Sequence, residues 1–77
     1  MHSDLSDTDL RLLDFEARAP RGVGAKEEAI RSQLGLSPVQ YFQRLNMLID
    51  DPAALKARPQ LVRRLQRVRD KKNTQAD

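Results

Sequence analysis

Three helix-start signals, each followed by apolar residues at helical spacing, constrain this chain more than any other feature. Ser6 with Asp9, and Ser37 with Gln40, have the spacing of a capping box, in which each side chain satisfies the other residue's backbone amide. Asp51 precedes a proline, which is also the order typical of a helix start. No stretch of four residues shows the alternation with β-branched residues that is typical of a β-strand. The chain is therefore predicted to be all-α.

The caps and the apolar stripes behind them also predict where the helices begin and end. We expect four helices, near residues 7–19, 25–34, 38–50 and 60–71, with a short helical turn near 52–57. Pro20, Gly22 and Gly24 indicate a connecting loop after the first helix, and Gly35 is placed to end the second. The expected architecture is a small bundle of four helices in a single domain over residues 1–72, followed by a disordered tail over 73–77.

The first and last helices have apolar stripes that need a covering surface. In the first helix the stripe is Leu10, Leu13 and Ala17, with Leu12 and Phe15 beside it. Glu16 falls inside this apolar arc, where a carboxylate needs a partner, so we expect an Arg to meet it. In the last helix the predicted stripe is Leu61, Leu65 and Val68, with Val62 beside it. Either the first helix or a second copy of the chain must cover that stripe.

Size and composition exclude several classes of protein. A chain of 77 residues without cysteine must gain its stability from tight packing or from self-association, so a homodimer is one of the alternatives. His2 is the only histidine, which argues against histidine catalysis and against a metal site, and we expect no enzyme and no cofactor. The acidic, polar first residues do not form a secretory signal, and no apolar stretch is long enough to span a membrane. We expect a cytoplasmic protein.

Positive charge is concentrated in the last quarter of the chain. Residues 58–77 contain seven Lys/Arg and two Asp/Glu, whereas residues 1–57 contain seven Lys/Arg and nine Asp/Glu. Such asymmetry favours a polyanionic partner, usually nucleic acid, although a basic helix can also face water or an acidic protein.

The centre of the chain, "AIRSQLGLSPVQYFQRLNMLI", has the spacing of a helix-turn-helix, with Gly35 in the turn. Tyr41 and Leu45 take the packing positions of the second helix of this motif. One residue departs from the pattern, because Arg31 lies four residues before the glycine, where DNA-binding versions prefer Ala. Arg31 must therefore point outward, or the two helices must cross differently.

The outward face of the helix over 38–50 has the chemistry of a base-reading surface, since amides can pair with adenine and Arg with guanine. The predicted base-reading residues are Ser37, Val39, Gln40, Gln43, Arg44 and Asn46. The predicted phosphate-binding residues of the last helix are Arg63, Arg64, Arg67, Arg69, Lys71 and Lys72. These residues predict a protein that binds double-stranded DNA, either a transcription regulator or a chromosome-associated factor.

The alternative is a non-enzymatic adaptor that binds another protein, possibly within the transcription machinery, through Val39, Met47 and their neighbours. Asp50 and Asp51 favour it slightly, because both would repel phosphates near the end of the reading helix.

A family of small actinobacterial proteins of unknown function, with a helix-turn-helix-like centre, resembles this chain. The resemblance extends from Leu5 to Arg69, through "DFEARAPRGVGAKEEAIRSQLGLSPVQYFQRLNMLIDDPAAL" and "PQLVRRLQRVR". It implies an all-helical layout and adds no activity. Family members carry aromatic residues where this chain has Ala19 and Pro20, so the loop after the first helix is expected to pack differently here.

Overall fold

The computed structural model describes residues 5–75, and the side chains of residues 5–71. Within that part of the chain there are five helices and no strand: α1 (Asp7–Arg18), α2 (Val23–Ala29, continued by a π-helical turn, Ile30–Leu34), α3 (Pro38–Ile49), α4 (Pro52–Ala57) and α5 (Pro59–Gln75). The all-α prediction is confirmed. The segment predicted as a short turn is a helix of its own, so the described chain has five helices where the sequence predicts four.

The helix starts at Ser6, Ser37 and Asp51 are confirmed. At Ser6 the Oγ accepts a hydrogen bond from the Asp9 amide at 3.1 Å, and the Ser6 amide donates to the Asp9 carboxylate at 3.4 Å. Ser37 and Gln40 form the same reciprocal pair, at 3.2 and 3.0 Å. The Asp51 carboxylate accepts from the amide two residues later, at 2.9 Å. These bonds satisfy amides that have no partner within their own helix.

The start of α2 differs from the prediction. The helix begins at Val23 rather than near residue 25, so Gly24 lies inside a helix and not in a loop. The Lys26 amide donates to the Gly22 carbonyl at 2.8 Å, which closes the first turn, and a glycine in an exposed helix costs only about 1 kcal/mol relative to Ala. Gly22 takes the N-cap position, where glycine is accepted, so Gly24 is the one glycine within this helix.

Gly35 ends the second helix as predicted. Its φ of 69° lies in the left-handed region, which favours glycine, and its amide donates to the Arg31 carbonyl at 3.1 Å. Arg31 itself is exposed, which agrees with the first of the two alternatives given for it. A turn of three residues then leads directly to α3.

The core lies where α1, the π-helical turn and α5 meet the inner side of α3. Its fully buried large side chains are Leu12, Leu13, Phe15, Ile30, Tyr41 and Val62. In α1 the buried face is centred on Leu12 and Leu13, and Ala17, predicted in the stripe, is exposed. This correction follows from the position of α1, which packs on α3 and on the π-helical turn.

The inward face of α5 also differs from the prediction. Val62 is fully buried, Leu61 and Leu65 are half-buried, and Val68 is 54% exposed. The reason is that α5 packs on α3 and α4, and its Gln66 side chain donates to the Ile49 carbonyl at 3.0 Å. This contact turns Val62 inward. The backbone of α5 continues to Gln75, and the predicted disorder of residues 73–77 stays a prediction, with residues 76–77 outside the described chain.

Candidate nucleic-acid interface

The two sides of α3 have opposite properties. Four residues at helical spacing are buried on one side: Tyr41, Leu45, Leu48 and Ile49. The remaining positions from Val39 to Met47 are exposed, and they include every residue of this helix predicted to read bases. The inner side therefore fixes the orientation of the helix, and the outer side is available to a partner.

Tyr41 orients α3 through a polar contact inside the core. Its hydroxyl donates a hydrogen bond to the Glu16 carboxylate of α1, and the Lys26 ammonium of α2 lies 2.9 Å from the same carboxylate. The sequence predicts an Arg as the partner of Glu16, and this prediction is wrong. Lys26 takes that place, with its ammonium between the Glu16 carboxylate and the aromatic rings of α3. One carboxylate thus connects three helices.

Aromatic rings surround this contact. The Tyr41 ring packs edge to face against Phe15, with centroids 5.7 Å apart, and against Phe42, with centroids 5.0 Å apart. The Lys26 ammonium lies 5.5 Å from the Tyr41 centroid and 5.3 Å from that of Phe42, within the range of a cation–π interaction. Burial, followed by the hydrogen bond to Glu16, raises the pKa of Tyr41 far above its usual range. Tyr41 therefore remains a protonated donor.

The sequence predicts Tyr41 as a packing residue but does not predict this network. The available signal was Glu16 itself, a carboxylate within an apolar arc. Lys26 and Tyr41 are distant from it along the chain, and no local spacing connects the three residues.

On the outer side of α3, Gln43 and Asn46 are the two amides without a hydrogen bond to any other described side chain. Ser37 and Gln40 are partly engaged, because the Ser37 Oγ and the Gln40 Oε1 accept the capping hydrogen bonds. The Gln40 NH₂ and the Ser37 hydroxyl hydrogen remain available to donate. Of the predicted readers, Gln43 and Asn46 thus keep their full hydrogen-bonding capacity.

Arg44 and the apolar residues complete the outer side. The Arg44 guanidinium lies 3.2 Å from the Asp9 carboxylate of α1, so it is directed toward α1. Val39 and Met47 are 65% and 75% exposed, and Phe42 is 42% exposed. A surface with these three apolar side chains and two unpaired amides is typical of a contact surface.

The cations of α5 form a second exposed surface, which we call the α5 stripe and define as Arg63, Arg64, Arg67 and Lys71. At about 100° per residue all four lie on the side of the helix away from Val62. None of them forms an ion pair with a carboxylate of the described residues. Four unpaired cations within three turns favour a polyanion.

Arg69 does not belong to the α5 stripe, although the sequence groups it with those cations. Its guanidinium donates to the Asp50 carboxylate at 2.8 Å and lies 3.8 Å from Asp70. The hydrogen bond to Asp50 raises the pKa of Arg69. The pair neutralises the carboxylate at the end of α3, which the sequence suggested would repel phosphates. The Lys72 side chain lies outside the described residues.

The described chain contains neither a metal-ligand cluster nor a membrane-spanning helix. No group of three His, Cys, Asp or Glu side chains there could hold a metal ion, and His2 lies outside it. None of the described helices is long and apolar enough to cross a membrane.

Comparison with known proteins identifies the family and nothing more. The model of a family described as a protein of unknown function (DUF3263) matches residues 4–76. Because the match covers nearly the whole chain, the protein belongs to this family. No curated protein and no solved structure matches it.

Proposed function

We propose that the protein is a small, non-enzymatic DNA-binding protein, acting as a transcription regulator or a chromosome-associated factor. In this proposal α2, the three-residue turn and α3 form a helix-turn-helix, and α3 enters the major groove. The observation that carries the proposal is the outer side of α3. There Gln43 and Asn46 are exposed and form no hydrogen bond with a described side chain, while Tyr41 holds the opposite side in place.

The dimensions and the chemistry of α3 suit the major groove. The helix has 12 residues, which is about 18 Å in length, and the groove admits an α-helix. The side-chain amide of glutamine or asparagine can accept a hydrogen bond from the N6 amino group of adenine and donate one to N7, in a bidentate contact. A rigid helix that presents such amides needs little reorganisation on binding.

The α5 stripe supplies the charge that DNA binding requires. Each Lys or Arg that contacts a phosphate releases counterions, so affinity falls as the salt concentration rises. The logarithm of the affinity decreases against the logarithm of the salt concentration with a slope of about 0.9 per phosphate contacted. Among the described residues, no carboxylate pairs with the cations of the stripe, so none has to be displaced when they bind. Arg44 and Arg69 differ, since each must first leave Asp9 or Asp50.

We also propose that two copies of the chain associate on DNA. The apolar flank of α5 favours this assembly, because Leu61 and Leu65 are half-buried and Val68 is 54% exposed within one chain. Dimers of helix-turn-helix proteins place their two reading helices in successive major grooves. Light scattering at micromolar concentration, with and without duplex DNA, measures this association.

The test of the proposal removes charge from one of two places. Replacing Arg63 and Arg64 with Gln removes two cations of the α5 stripe. Replacing Arg18 on α1 and Lys56 on α4 with Gln removes two exposed cations that lie outside the proposed helix-turn-helix and form no ion pair among the described residues. Both variants have the same net charge. Fluorescence anisotropy with a labelled duplex at about 50 to 200 mM salt then compares their affinities.

We expect the first variant to lose affinity for all duplexes. The slope of the logarithm of its affinity against the logarithm of the salt concentration should decrease by the amount that corresponds to about two phosphate contacts. The control variant should bind as the wild type does, apart from a small uniform loss. Equal losses in the two variants, or no binding of the wild type at about 50 mM salt, would contradict the proposal.

A protein adaptor is the second candidate, and the exposure of Val39, Phe42 and Met47 favours it. On this interpretation α3 packs its apolar outer residues into a groove of another protein. A partner that competes with DNA for α3, or that binds while no duplex does, would support the adaptor function.

A further inference from the structure

We propose that α3 selects A·T base pairs by contacting thymine methyl groups through Val39 and Met47, on either side of an adenine read by Gln43. This inference rests on the proposed DNA-binding function and adds the class of sequence that the protein prefers.

The three residues form one ridge on the outer side of α3. They are four residues apart, so each lies about 6 Å further along the helix and about 40° further around it. Two base-pair steps of B-DNA cover about 6.8 Å. Residues 39, 43 and 47 can therefore face every second base pair along a shared stretch of groove.

The chemistry of the ridge distinguishes thymine from the other bases. In the major groove only thymine presents a methyl group, and apolar side chains contact it favourably. Val39 and Met47 are 65% and 75% exposed, so most of their surface is free for such contacts. A phosphate oxygen would gain nothing from either side chain.

A guanine reader is missing from the same ridge. Arginine is the usual bidentate partner of guanine, and the α3 arginine, Arg44, lies about 100° around the helix from Gln43. Its guanidinium is bound to Asp9 on α1. With an amide between two apolar side chains and no cation, the ridge matches A·T pairs better than G·C pairs.

The experiment removes the methyl groups and leaves the rest of the duplex unchanged. One duplex of A·T pairs is compared with the same duplex in which deoxyuridine replaces every thymidine. Each lost methyl contact is expected to weaken binding about three- to fivefold. Because the proposal has two such contacts, through Val39 and Met47, the wild type should bind the uracil duplex at least about tenfold more weakly.

Variants then locate the contact. Val39→Ser with Met47→Gln should weaken binding to the thymine duplex and bind the two duplexes equally. Val23→Ser is the matched control, because Val23 is a 75% exposed valine on α2, away from the ridge. This control should keep the tenfold preference for thymine.

The outcomes separate the inference from the proposed function. If the wild type binds both duplexes equally well, the methyl contacts do not exist, and DNA binding itself stands. If the preference for thymine survives in the Val39→Ser, Met47→Gln variant, it arises elsewhere, and the inference is wrong. If neither duplex binds at about 50 mM salt, the proposed function fails with the inference.

Discussion

The inner and outer sides of α3 are built from the same helix but obey different constraints. On the inner side Tyr41 is fully buried, and its hydroxyl, the Glu16 carboxylate and the Lys26 ammonium satisfy one another. On the outer side Gln43 and Asn46 form no hydrogen bond with any described side chain. Polar groups that must be paired when buried can stay unpaired in water, where a ligand can reach them.

The comparison shows which residues serve the fold and which are free to serve binding. A residue of the inner side is expected to change the free energy of unfolding, and a residue of the outer side is expected to change only affinity. The predictions below test this division, starting with the largest effect.

The largest effect is expected for Tyr41→Ala. Removing a buried aromatic ring costs about 3–5 kcal/mol, which is a large part of the total stability of a domain this small. Urea unfolding followed by circular dichroism measures the loss. Phe42→Ala is the control, because the neighbouring ring is 42% exposed and should cost less than half as much. Equal losses would mean that α3 is not anchored on the Tyr41 side.

Lys26→Met is expected to have the next largest effect. It leaves the Glu16 carboxylate, whose side chain is 13% exposed, without its cation, at a cost of about 1–3 kcal/mol in unfolding free energy. Adding Glu16→Gln should recover part of the loss. Arg44→Met removes the cation of the more exposed pair with Asp9 and should cost less than 1 kcal/mol. A larger loss for Arg44→Met than for Lys26→Met would reverse the comparison.

Alkaline pH should act through the inner side as well. The pKa of Tyr41 is raised above its ordinary value of 10.0, so its contribution is complete below pH 10 and is lost as pH rises above it, by about 1.4 kcal/mol per pH unit. The chain has one Tyr and no Trp, so tyrosinate absorbance reports this residue alone. Absorbance and helix content should change together. Tyrosinate that forms near pH 10 with all helices intact would show that the hydroxyl is not buried.

The smallest effect on stability is expected on the outer side. Replacing Gln43 and Asn46 together with Ala should change the free energy of unfolding by less than about 0.5 kcal/mol, because neither side chain is buried and Ala favours helix. The same variant should lose about 1–3 kcal/mol of affinity per amide on a preferred site and little on random DNA. Thermal unfolding and anisotropy measure the two quantities. A destabilised variant would mean that the amides serve the fold.

Local signals predicted much of this fold. The capping boxes at Ser6 and Ser37 and the glycine at Gly35 act over three or four residues, and all three were read correctly from the sequence. The outer side of α3 was predicted for the same reason, since a helix whose start is known has known faces.

Features that depend on tertiary contacts could not be predicted. The partner of Glu16 is Lys26, which lies on a different helix, so no local spacing connects the two residues. On α5, Val62 lies next to the apolar residues Leu61 and Leu65, so the apolar pattern alone allows either Val62 or these two leucines to face inward. The contact of Gln66 with α3 decides between them.

An NMR titration of the isotopically labelled protein with duplex DNA at about 50 mM salt tests the proposed DNA binding by the outer side of α3 and the α5 stripe. We predict that the side-chain amide resonances of Gln43 and Asn46 and the backbone resonances of residues 63–71 shift as duplex is added. The resonances around Phe15 should stay in place. Shifts confined to α1 and α2, or no shift at any duplex concentration, would contradict the proposed DNA binding.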